Sequence, residues 1–360
     1  MSAIDDIGGW PAILSALLDR TDLSAAEARA AMTTVLAGDA TAAQLIAFVV
    51  ALRAKGETAE EISGLLDAVL ASATIVPLAP EILERAVDVV GTGGDRSHSI
   101  NVSTISAIVV AGAGVPVCKH GARAASSQCG AADLLEELGV AIELPPEGVA
   151  RCVERAGIGF CLAARYHPAF RFAAPSRREI GIPTVFNLLG PMANPARVRR
   201  QLIGVANPAF AERMLASLRI HGSVSAWVVN GDGLDELSTT GPSTVIELRD
   251  GAVRTFTVDP VELGLAPAIP EELVGGSPAV NADHARRVLG GDHGPHRDIV
   301  VLNAGAALLV AGRVPDLPTG IAVAADAIDN GSASNALDGL VRESQAALSP
   351  TLNLTAATEA

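Results

Sequence analysis

Apolar positions in the first part of the chain follow a helical period and no other. Residues 10–72 read as helices only: Leu45, Phe48, Val49 and Leu52 fall on one face, as do Ile62, Leu65 and Leu66, the spacing that buries one stripe of a helix. Ser24 with Glu27, and Thr58 with Glu61, have the spacing of capping boxes, in which each side chain answers the other residue's backbone N–H. Residues 53–57 (RAKGE) read as the turn between two of these helices.

The pattern changes near residue 74. Residues 87–90 form a short buried strand, followed at once by GTGGD. Residues 103–113 form an apolar helix stopped by Gly112 and Gly114, and 115–118 a second strand. A polar loop, 119–129, leads to a helix at 131–138 that ends before Gly139. This alternation predicts a largely parallel sheet with a ligand site at its strand C-terminal ends. Residues 165–200 are rich in Pro and Arg and read as two short helices with connecting segments that cross a cleft. Then come a strand at 202–205, a helix at 210–218, a strand at 224–229, a hairpin at Asp250-Gly251 and Ala-rich helices. The class is α/β, with a small helical domain in front and no internal repeat or long linker.

Composition narrows the picture. Hydrophobic residues are 49% of the 360 and aromatics 3%, so the core is built from small aliphatic side chains. The formal net charge of −14 argues against a sequence-independent nucleic-acid binder, though not against a local basic pocket. Cys118, Cys129, Cys152 and Cys161 form no CxxC pair and read as reduced thiols of a cytoplasmic protein. The N-terminus is acidic, without a signal-peptide pattern. The longest apolar run, 107–117, is broken by Gly and Pro and is too short for a bilayer. No membrane partner is expected.

Three segments carry candidate chemistry. In GTGGD (91–95) glycines let backbone N–H groups approach a phosphate, with Asn101, Ser103 and Thr104 adding donors at the next helix. Alone this is equally a tight turn. Lys119-His120-Gly121, Arg123 and Ser126-Ser127 follow the second strand. Lys and Arg there can neutralise phosphate charge. GDGLDE (231–236) sets three carboxylates close together after a third strand. That is an acidic surface turn in isolation, and beside two phosphate loops a magnesium site. His98, His120 and His167 lack metal-ligand spacing; His120 has the best functional claim because of its loop. Arg177 and Arg178 could also simply cap or pair on a helix face.

These blocks together resemble the anthranilate phosphoribosyltransferase family of tryptophan biosynthesis, from about residue 10 to 345. The resemblance is carried by QLIAFVVALRAKGETAEEI (44–62), DVVGTGGD…INVST (88–104), KHGARAASSQCGAADLLEELG (119–139), YHPAFRFAAPSRREIGIPTVFNLLGPMANPA (166–196) and GDGLDELST (231–239). It implies a helical domain over 1–74, with 165–190 packing on it, an α/β domain over 75–164 and 191–350, and a tail at 351–360. It also implies a cleft site and a homodimer through the helical domain. Phosphoribosyl pyrophosphate is expected at Gly91, Gly94, Asp95, Ser99, Asn101, Ser103 and Thr104, at Lys119, His120, Gly121, Ala122, Arg123, Ala124, Ala125, Ser126 and Ser127, and at Ala131. Two magnesium ions are expected on Ser103, Asp235 and Glu236. Anthranilate is expected at Gly91, Ala122 and Arg177, with His120 and Lys119 as the catalytic residues. Four positions depart from the family pattern. Ala122 stands for an asparagine, Arg96 for a glycine, Ser99 for a threonine and Asn230 for a histidine. Two rivals stay open: a same-fold enzyme with another acceptor, including a nucleoside phosphorylase or a specialised-metabolism transferase, which Ala122 permits, and a non-catalytic nucleic-acid-binding relative, against which the charge of −14 and the intact Asp235-Glu236 count.

Overall fold

The structure is a computed structural model that describes residues 4–124 and 127–348. The candidates Ala125 and Ser126, and the tail 351–360, lie outside the described residues.

Four helices open the chain: α1 (Gly9–Leu18), α2 (Ala25–Ala37), α3 (Ala42–Lys55) and α4 (Ala59–Ser72). Ser24 and Thr58 cap α2 and α4 in full capping boxes, and Thr41 caps α3 in the same way with Gln44. The expected turn at 53–57 is shorter than its sequence suggests, because α3 continues through Lys55. Its ammonium turns inward, 2.6 Å from Asp22 and 2.9 Å from Glu61. The other Glu61 oxygen accepts from the Leu23 N–H. A buried pair of this kind needs both partners to stay satisfied.

After a short helix, α5 (Pro80–Leu83), the chain alternates: β1 (Asp88–Gly91), α6 (Val102–Gly112), β2 (Val117–Gly121), α7 (Ala131–Glu137), α8 (Pro146–Ala156) and β3 (Ile158–Leu162). The Pro-rich segment holds α9 (Ala163–Tyr166), α10 (Ala174–Ile180) and α11 (Val185–Met192). Then follow β4 (Arg200–Gly204), α12 (Ala211–Ile220), β5 (Ser225–Asn230), β6 (Ser243–Arg249) and β7 (Ala252–Val258). Four helices close the described chain: α13 (Pro278–Leu289), α14 (Pro295–Val310), α15 (Leu317–Asp329) and α16 (Ser332–Leu348).

One sheet has the order β1-β4-β5-β6-β7, parallel from β1 to β5 and antiparallel beyond. The β6–β7 turn has Asp250 at φ 51° and Gly251 at φ 78°, the two left-handed residues of a type I′ hairpin. A second parallel ladder, β2–β3, is joined to β1 through the bridge Val87–Val117. The second strand was expected at 115–118 but runs through Gly121. Lys119 and His120 therefore lie on a buried strand, not in a polar loop. Their polar atoms find partners inside, as described below.

The sheet has two covered faces. Val89, Leu202, Trp227 and Val245 join a core with α6 and α14. Val90, Ile203, Val228 and Ile246 join the other, with α1–α4, α11 and α12. The N-terminal helices thus share a core with the sheet. Close helix crossing needs small residues: a Cβ on Gly64 of α4 would sit 2.1 Å from the Ala25 carbonyl oxygen of α2. Gly64→Ala should therefore destabilise the protein by about 1–3 kcal/mol, read as a lower midpoint in thermal unfolding. An unchanged midpoint would show that the bundle gives way freely at this crossing.

Candidate active site

A cavity of about 460 Å³ opens where β1, β2 and the segment after β5 come together. Every residue expected to hold a substrate or magnesium that falls among the described residues lines it, from Gly91 to Glu236. Three weaker candidates, His167, Arg178 and Asp232, stand outside its lining.

Its acidic wall depends on two glycines. Gly91 and Gly204 are register partners on β1 and β4. A Cβ on Gly204 would sit 1.5 Å from the Asp235 carbonyl oxygen, and one on Gly91 2.4 Å from Asp235 Oδ2. Only bare backbone at both lets the acidic loop cross the strand ends. Asn303 of α14 holds that loop from behind through both backbone groups of Leu237. The Gly93 N–H donates to Asp235 Oδ2 at 2.6 Å, and the Ser103 N–H to Glu236 Oε1 at 3.1 Å. Burial, with Asp95 facing it, pushes the Asp235 carboxyl up to about 7. Burial and then Asp235 push Glu236 well above its usual range. Asp95 itself accepts from the backbone and hydroxyl of Ser97.

Between this wall and β1 lies Lys119, fully buried. Its ammonium donates to the Val89 carbonyl and to Ser103 Oγ. Burial lowers its pKa, opposed first by Asp88 and then by Glu236 and Asp235. Asp88 was not singled out from the sequence, although an acid inside the apolar run VDVV was a signal. One Asp88 oxygen accepts from the His120 backbone N–H and the other from Asn194 Nδ2. The Asn194 amide also donates to the Cys118 carbonyl. Side chains thus replace the backbone ladder between β1 and β2 and fix the heights of Lys119 and His120. Burial raises the Asp88 carboxyl to about 6, against the pull of Lys119.

His120 is neutral at physiological pH. Burial, and His167 at 5.0 Å between ring centroids, lower its pKa to about 3. Its Nδ1 lies 3.1 Å from the Gly190 carbonyl oxygen, which can only accept, so Nδ1 carries the proton. Nε2 is left as a buried acceptor without a partner among the described residues. From His167 an aromatic series continues through Phe170 to Phe186, with the Arg177 guanidinium 4.9 Å over the Phe186 ring. Phe170, Phe186 and Arg177 all line the cavity. The two phenylalanines were missed in the sequence, where their shared segment with Arg177 was the available cue.

Arg123 borders the cavity, and its guanidinium is paired with Asp133 and Glu136 at 3.0 and 2.7 Å. Asn101 accepts from Asn281 Nδ2 and donates an amide hydrogen to the Cys129 carbonyl. Ala122 is exposed and offers only backbone, its carbonyl accepting from the Ala132 N–H.

A helical bundle on an α/β sheet, with a glycine loop and a buried strand lysine meeting a carboxylate pair, is the architecture of a two-part glycosyl transferase. Residues 11–73 match the family described as glycosyl transferase family, helical bundle domain, and residues 83–334 match glycosyl transferase family, a/b domain. The anthranilate phosphoribosyltransferase of Saccharopolyspora erythraea is 51% identical, over 94% of this chain and 96% of its own. The crystal structure of the enzyme of that name from Thermus thermophilus superposes with a TM-score of 0.87 at 38% identity, covering 96% of this chain and all of that one. One from Saccharomyces cerevisiae, in complex with PRPP and Mg, gives 0.85 at 28% identity, covering 94% and 98%. The chain belongs to the anthranilate phosphoribosyltransferase family.

The acidic wall makes stability depend on pH. The folded pKa of Asp235 lies above its unfolded value, so the stability it contributes is complete below the usual carboxylate range and is lost as pH rises through about 7. Asp235→Asn should therefore raise the unfolding midpoint of the ligand-free protein by a few degrees at alkaline pH, and change it little near the carboxylate range. A midpoint that falls at alkaline pH would contradict the burial of this charge.

Proposed function

We propose that this chain transfers the phosphoribosyl group of 5-phosphoribosyl 1-pyrophosphate to the amine of anthranilate, releasing pyrophosphate, as a step of tryptophan biosynthesis. One observation carries the reading. A single cavity brings the GTGGD loop, Lys119 and the Asp235–Glu236 pair together with an aromatic wall that ends in Arg177. The first three suit a charged donor, and the last suits an aromatic carboxylate.

The donor lies along Gly91–Asp95, Ser99, Asn101, Ser103 and Thr104, and along the segment that runs from Lys119 at the end of β2. Ser103, Asp235 and Glu236 form a hard-oxygen set that fits magnesium. Their fit rests on charge: Asp95, Asp235 and Glu236 crowd one wall beside the single ammonium of Lys119. The proposed occupancy is two ions. Bound there, magnesium supplies charge stabilisation to the departing pyrophosphate. Lys119 adds a fixed, desolvated positive charge that needs no reorganisation as the bond to C1 breaks.

The anthranilate amine is neutral at pH 7 and needs no deprotonation before attack. His120 Nε2, an acceptor without a partner among the described residues, orients it by accepting one N–H. The nitrogen becomes strongly acidic once bonded to C1, so a weak base or water suffices to take its proton. Arg177 pairs with the acceptor carboxylate, and Phe170 and Phe186 hold the ring between cleft walls. Held in place, the two substrates react as if in one molecule. Ala122 adds no polar group on the acceptor side, which leaves room for substituted rings.

The proposed assembly is a homodimer through the helical domain, where Leu18 and Val50 are exposed apolar residues. The proposed location is the cytoplasm; all four cysteines are free thiols.

Steady-state kinetics with both substrates and a panel of aromatic amines test the assignment. Arg177→Ala should raise the KM for anthranilate by about tenfold or more, as expected for a lost charge-assisted contact, and leave the donor KM nearly unchanged. Equal increases for both would place Arg177 outside the acceptor site. Faster turnover with another amine would move the chain to a different acceptor.

A further inference from the structure

The cavity wall carries a cation that the reading above leaves unused. Arg96 follows GTGGD directly, lines the cavity and is exposed. The other arginine and lysine side chains of the wall are held: Lys119 by the Val89 carbonyl and Ser103, Arg123 by Asp133 and Glu136, and Arg177 against Phe186. No hydrogen bond, ion pair or ring contact engages the Arg96 guanidinium among the described residues.

Its backbone is equally distinctive. Arg96 has φ 62° and His98 φ 55°, a region glycine adopts freely and arginine does not. The loop is fastened on either side of these residues. Ser97 donates to the Asp95 carboxylate, Ser99 bridges to Val274, and the His98 carbonyl accepts from the Gly275 N–H. Arg96 lines the cavity one residue after Asp95, the carboxylate that faces Asp235.

We propose that Arg96 is an additional binding residue for the donor, pairing its guanidinium with the pyrophosphoryl oxygens at the end of the cavity where the acidic loop lies. This rests on the phosphoribosyl-donor reading. A planar guanidinium matches phosphate oxygens in pairs. Being exposed, its attraction is screened by salt.

Glycine at this position relieves the left-handed backbone, so Arg96→Gly removes the charge without threatening the fold. Titration calorimetry of the whole chain with 5-phosphoribosyl 1-pyrophosphate and magnesium compares the two proteins. Arg96→Gly should weaken donor binding by about tenfold, and the gap should narrow in about 0.5 M salt. Arg96→Lys should recover part of the affinity, and the KM for anthranilate should not move. Equal donor affinity in wild type and Arg96→Gly refutes the role of Arg96 alone. Absence of donor binding in both refutes the donor reading, and this role with it.

Discussion

A fully buried ammonium organises this protein. Lys119 is 2% exposed, and an unmatched charge in that position would be lost with its proton. Asp88 on one side, Asp235 and Glu236 on the other, and the Val89 carbonyl supply the match. Much of the local architecture follows. The ladder between β1 and β2 is opened so that side chains of Asp88 and Asn194 fill it. The acidic loop is brought across the strand ends, which in turn demands bare backbone at Gly91 and Gly204. Ser103, at the start of α6, stands between ammonium and carboxylate and touches both.

The same arrangement sets more carboxyls around Lys119 than one ammonium can balance. Two carboxyls are raised far above their usual range and a third faces them. Such a cluster is a poor contributor to folding and a good receptor for a divalent cation carrying phosphates. The neutral end of the cavity is its counterpart. His120 is kept uncharged by burial and by its neighbour His167, with one nitrogen fastened and one left open. One cleft thus has walls of opposite character, one suited to each proposed substrate.

How much of this could be read from the chain depended on sequence distance. The capping boxes at Ser24 and Thr58 and the Asp250-Gly251 hairpin involve neighbours three residues apart or fewer, and they were legible. GTGGD, the KHG segment and GDGLDE were legible as chemistry because each is contiguous. Lys119 and His120 were misread as loop residues, since two polar side chains look solvated until Asp88, Gly190 and Glu236 are seen around them. Gly204 looked ordinary because the atom it avoids belongs to Asp235. Arg123 looked free because its partners sit one turn apart on the next helix. The family blocks pointed to residues that line the cavity, while the long-range pairings that set their charge states were visible only in three dimensions.

Burial raises the Asp235 and Glu236 carboxyls, so binding of a divalent cation and donor at this wall should drive protons off them. Infrared difference spectra, recorded at about pH 6.5 on adding magnesium and 5-phosphoribosyl 1-pyrophosphate, test it directly, because that pH lies where a raised carboxyl is still largely protonated. Protonated-carboxyl absorption should be lost in the wild type, and less of it in Asp235→Asn. A carboxyl region that does not change on binding would mean the pair was already ionised, and would contradict this proton release.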